Sequence, residues 1–243
     1  MRVLRGHWQL MVLGVVVAAL WTTPVLVPLK ILVVFLHELS HALAAWLTGG
    51  SVEGMTLSPM QGGTTTTRGG NLFAIISAGY LGSLLLGVVL FLLALRSDLD
   101  RWVMGVLGGV LVAVAVAYMR EPFALIFCLG AGVVMLGIAH FLPHEVSDLA
   151  LRLIGLTSML YAPLDILDDT LRRTHVESDA VMLAREFGGT SQFWGGLWLV
   201  ISLIVVALCL RFGAGRDSNL HLPMFRRKPR PSGRPHARDR RPR

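Results

Sequence analysis

The chain has 243 residues, of which 54% are hydrophobic and only 15% charged, where soluble domains carry about a quarter charged residues. That balance excludes a soluble globule and predicts an all-α, polytopic membrane protein whose core forms by helix packing within lipid. The formal charge of +7 does not belong to this body: ten basic and two acidic residues lie between Arg216 and Arg243, so the basic character is a tail property and no nucleic-acid partner is expected.

At the N-terminus, Arg2 and Arg5 precede an apolar run from Leu10 to Leu20. This is the order of charges in a signal peptide, but no small-x-small cleavage site follows and further apolar segments come directly after, so a retained first helix over 8–23 is expected. A span needs about 20 apolar residues. On that measure a Pro24–Pro28 break leads into a second span at 29–47, and others follow at 72–95, 101–119, 122–142, 146–169 (interrupted by charges) and 193–212, giving six or seven in all. The stretch 170–191 is polar. The tail, 213–243, is rich in Arg and Pro and is expected to be disordered. Its charge places it on the cytoplasmic side, within reach of anionic lipid headgroups. The chain thus divides into a membrane domain, 1–212, and a basic tail, 213–243. Cys128 and Cys209 both lie in apolar runs, which offers neither a disulfide framework nor a cysteine-type zinc site.

The second span carries V-V-F-L-H-E-L-S-H-A, residues 33–42. His37 and His41 are four apart, so on a helix both imidazoles project from one face and can reach one zinc ion at about 2.0–2.1 Å. Glu38 lies beside them, placed to take a proton from water that the metal activates. Three ionisable side chains on one turn of a membrane helix are costly and mark a functional site. A hydrolytic zinc takes a third protein ligand. The acidic run Y-A-P-L-D-I-L-D-D-T, residues 161–170, offers Asp165, Asp168 and Asp169 on one helical face, where a divalent cation would relieve their mutual repulsion. Upstream, Asp148, Arg152, Gly155, Ser158 and Ala162 form a stripe of small and polar residues that should face the protein interior.

Between the second and third spans, residues 49–71 are rich in Gly and Thr. Val52–Leu57 and Thr64–Thr67 read as two short strands bounded by glycines, and an edge strand there can hold an unwound substrate by strand addition. His140 and His144 are also four apart, but Pro143 interrupts the helix between them, which suits interfacial histidines better than a second metal site. Ser178-Asp179-Ala180 has the form of a helix N-cap, with Asp179 a candidate to support the metal ligands from outside.

The His37-Glu38-x-x-His41 motif within a membrane helix, together with the later Pro163-to-Asp168 spacing, resembles the site-2 protease family of intramembrane metalloproteases. The family's second motif reads N-x-x-P-x-x-x-x-D-G; Leu160 stands here for the Asn and Asp169 for the Gly. The resemblance implies Asp168 as third ligand, with Asp165 as the alternative. S-A-G-Y-L-G-S, residues 77–83, is similar to the family's small-residue motif on the intervening helix, and β-structure after the metal helix lines the substrate path in that family. The likeness covers about 29–169 and suggests a smaller bacterial branch, hence a plasma-membrane location. It implies Zn2+ as cofactor, membrane-embedded proteins as substrates and Glu38 as general base. The alternative is a non-catalytic membrane metal-binding scaffold or transporter, for which Glu38 would have no use.

Overall fold

Start and stop signals in the sequence place the elements. The computed structural model describes residues 2–169 and 178–213. Apart from Gly213, the basic tail assigned to 213–243 lies outside the described residues. Helix α1 runs Arg2–Ala19, and a 3-10 turn, Pro24–Leu26, leads into α2, Val27–Leu47. A hairpin follows, β1 Ser51–Leu57 and β2 Gly63–Arg68. Then come α3 Leu72–Arg96, α4 Asp100–Tyr118, α5 Pro122–Phe141 and α6 His144–Leu167. The last two are α7 Asp179–Phe187 and α8 Ser191–Leu208, the latter extended by a π turn over Cys209–Gly213. The Asn71 side chain accepts from the Ala74 amide at the start of α3, and Thr190 does the same for Phe193 at the start of α8. Pro122 opens α5, where its missing N–H costs nothing.

Among the described residues, six helices are long and apolar enough to cross a membrane, while the apolar part of α1, His7–Leu20, is shorter. The chain is a multi-pass integral membrane protein, and the six candidate spans among the described residues match the lower of the two expected counts. Helices α2 and α6 are the enclosed ones; α4, α5 and α8 turn most of their apolar surface outward.

Small residues set how closely the central helices approach. A Cβ on Gly155 of α6 would lie 2.6 Å from the Gly87 carbonyl oxygen of α3, and one on Gly87 would lie 2.6 Å from Ser158 Cβ. Ser158 Oγ donates to the Ser83 carbonyl at 2.8 Å. Without a hydrophobic drive between helices in lipid, such backbone approach and polar contacts hold the bundle together. The expected stripe does face inward: Asp148, Arg152, Gly155, Ser158 and Ala162 are all buried. Asp148 and Arg152 pair through two contacts, 2.5 and 2.8 Å, which keeps both charges compensated.

The two glycine-bounded runs form the expected strands. They pair antiparallel, Met55 opposite Thr65, with a bulge between Val52 and Gly54. Opposed residues point to the same face, so Met55 and Leu57 enter the core while Thr65 reaches α2. The polar stretch 170–191 holds an element that its composition hides: α7 buries Ala180 and Leu183 and leaves Met182 and Phe187 exposed.

Candidate metal centre

Helix α2 is apolar all round, and nearly every residue from Lys30 to Ala42 is buried. Polar groups in such a helix persist only where partners face them. His37 and His41, one turn apart, hold their rings 4.8 Å apart at 76°. Helix α3 supplies the opposite wall. The Ile75 carbonyl lies 2.7 Å from His41 Nδ1; since a carbonyl oxygen only accepts, Nδ1 donates to it, and Nε2 is the nitrogen turned toward Asp179. One turn on, Gly79 faces His37 with no side chain. A Cβ there would sit 2.6 Å from His37 Cε1 and collide with His37 Nε2 and Asp179 Oδ2. A Cβ on Gly82 would meet Ser40 Cβ at 2.5 Å, so two glycines three apart let α3 lie against the histidine face.

Asp179 completes the cluster from the first residue of α7. Its Oδ2 lies 3.1 Å from His37 Nε2 and 3.4 Å from His41 Nε2. The three ligand atoms lie within 4.8 Å of one another. Oδ2 is buried, makes no well-directed hydrogen bond and lies between the two imidazole nitrogens. Burial pushes the Asp179 carboxyl up, but His41 and His37 beside it outweigh that and hold it well below the ordinary carboxylate range. The helix N-terminus adds a small favourable contribution for the anion. Two nitrogens and one carboxylate oxygen gathered this closely make a donor set that fits a divalent metal ion. Among the described residues no other group of three His, Cys, Asp or Glu side chains converges in this way.

Glu38 is 3% exposed and stands apart from the ligand group. Its Oε2 accepts from Thr65 Oγ1 at 2.7 Å, and the same hydroxyl lies 3.0 Å from the Glu38 carbonyl. Thr65 therefore ties strand β2 to the Glu38 carboxylate. Gly63 makes room for it, since a Cβ there would fall 2.6 Å from Glu38 Oε1.

The acidic run at the end of α6 lies outside the one group of possible ligands found among the described residues. The structure brings His37 and His41 together with Asp179, and neither Asp168 nor Asp165 belongs to that group. Protein groups face two of the run's three carboxylates. Asp165 interacts electrostatically with the buried Lys30, whose Nζ sits 4.5 Å over the Trp21 ring. Asp169 Oδ2 accepts a short hydrogen bond from the Tyr80 hydroxyl. Asp168 is half-buried at the C-cap of α6. His144 is exposed and pairs with Glu145 at 3.1 Å, as befits an interfacial residue. Ser178 occupies the N-cap position of α7 but makes no side-chain cap bond. Thr65 and Tyr80 carried no signal as individual residues, lying respectively in a threonine run and a small-residue motif.

No similar curated protein and no similar solved structure was found. The family model for Peptidase M50B-like proteins matches residues 10–209, a stretch that takes in α2, the hairpin, α3 and α7, and with them every side chain of the centre. The chain is therefore a multi-pass membrane protein that belongs to the Peptidase M50B-like family.

Proposed function

We propose that this protein is a zinc-dependent intramembrane protease in which His37, His41 and Asp179 hold the metal and Glu38 is the general base. The observation that carries the reading is the convergence of His37 Nε2, His41 Nε2 and Asp179 Oδ2 beside a buried glutamate that is not itself in the ligand group. Zinc held there supplies Lewis acidity and lowers the pKa of water to about 7. His41 is oriented by Ile75, so its Nε2 is aimed at the centre before metal arrives. Thr65 fixes the Glu38 carboxylate from outside the helix, leaving it to take the proton from the attacking water and pass it to the leaving amine.

Asp179 takes the third-ligand role in this reading, in place of Asp168 or Asp165. Substrate presentation falls to the hairpin. Among the described residues strand β2 pairs with β1 alone, and through Thr65 it touches Glu38, so a peptide added to its other edge would run past the base. Substrates are then membrane proteins whose helix unwinds locally. A metal-storing scaffold or transporter would not need a buried carboxylate beside its ligands, and Glu38 separates the two readings. The test is Glu38→Gln in purified protein: zinc content stays at the wild-type value while cleavage of a model transmembrane peptide is lost. Loss of zinc with cleavage unchanged would contradict the assignment.

A further inference from the structure

Two histidines in the centre are oriented by different means. His41 is held by a hydrogen bond to the Ile75 carbonyl. His37 is held by ring packing: the Tyr80 ring stands 4.9 Å from it at 81°, with the bare Gly79 backbone beside it. Tyr80 is itself restrained at two further points. Its ring lies 5.4 Å from Trp198 of α8, and its hydroxyl donates to Asp169 Oδ2 at the end of α6. The side chain is 3% exposed. A buried tyrosine hydroxyl always seeks a partner, but this one finds a carboxylate from the acidic run that the metal centre leaves unused, and the ring behind it bears on a metal ligand.

We infer that Tyr80 and Asp169 form a positioning pair for the metal centre, in which Asp169 fixes the Tyr80 hydroxyl and the Tyr80 ring thereby fixes the imidazole plane of His37. This rests on the metal reading above. It gives Asp169 a role at one remove from the metal, and it ties the end of α6 to α2 through α3. Partners that orient ligands in this way change metal affinity or activity by about ten- to a hundredfold when removed. A pair acting as one unit is non-additive: removing both members should cost no more than removing either.

The experiment uses full-length protein loaded with Co2+, whose visible absorption reports ligand geometry, and competition with a chelator for affinity. Tyr80→Phe keeps the ring and deletes the hydroxyl; Asp169→Ala deletes the acceptor; Asp169→Asn keeps an accepting oxygen. Tyr80→Phe and Asp169→Ala should each shift the Co2+ spectrum and weaken binding by about ten- to a hundredfold. The double variant should match either single, and Asp169→Asn should restore most of the wild-type signal. Wild-type spectra and affinity in both single variants would overturn the inference, as would additive losses in the double variant. If Tyr80→Phe fails to fold, Asp169→Ala decides alone, since its side chain is only half-buried at a helix end. Absence of Co2+ binding by the wild type would instead refute the metal reading itself.

Discussion

Gly79→Ala is a single-methyl probe of the centre. In the structure a Cβ at this position lies 2.6 Å from His37 Cε1, and nearer still to His37 Nε2 and Asp179 Oδ2. Carbon atoms settle at about 3.5–4.0 Å, so the imidazole or the carboxylate must move by roughly 1 Å. The helix itself loses nothing, because Ala is the better helix former by about 1 kcal/mol. Overpacking of this kind costs about 1–3 kcal/mol, and here it falls on two ligand atoms at once. A displacement of about 1 Å at a reacting centre can cost about a hundredfold in rate. The expected result is folded protein with zinc affinity reduced about tenfold or more and peptide cleavage reduced about a hundredfold. Zinc competition, peptide cleavage and thermal unfolding in detergent measure the three quantities. Gly137→Ala in α5, where a Cβ meets nothing within 4 Å, is the control: zinc affinity and cleavage should be unchanged, and thermal stability should stay the same or rise by up to about 1 kcal/mol. Wild-type zinc affinity and cleavage in Gly79→Ala would refute the placement of α3 against the histidines.

Thr65→Val removes the hydroxyl that holds Glu38 at 2.7 Å while keeping the β-branched shape; cleavage should fall about tenfold, with zinc content unchanged, and a loss of zinc would show that Thr65 serves the ligands instead. Crosslinkers placed at Thr64–Thr67 should capture a substrate trapped on the Glu38→Gln protein, whereas capture only at distant loops would remove β2 from the substrate path.

The membrane character, the spans and the hairpin were legible because each has a local cause: apolar length for the helices, β-branched runs between glycines for the strands. His37, Glu38 and His41 were legible because one helical turn carries them. Asp179 was legible only as an N-cap residue that could support the ligands from outside, because it reaches the histidines only through the folding of α7 onto α3 and α8. That helix is nine residues long in a stretch whose overall polarity masks its two buried apolar positions. The likeness to known motifs also ended at residue 169, before α7 begins. The acidic run in α6 drew attention for a sound reason, mutual repulsion, but Lys30 and Tyr80 come from other helices to relieve it. Periodicity along one helix does not disclose which neighbours it will meet. The close approach at Gly79 and Gly82 was visible only as a small-residue motif, and its purpose shows once α2 lies against it.

The central claim is the ligand set, and metal content of the separate variants Asp179→Ala, Asp168→Ala and Asp165→Ala, each confirmed as folded, tests it most directly. The account predicts that Asp179→Ala loses both zinc and cleavage while the other two keep their metal at the wild-type value. Full zinc in Asp179→Ala, with loss in Asp168→Ala or Asp165→Ala, would contradict it.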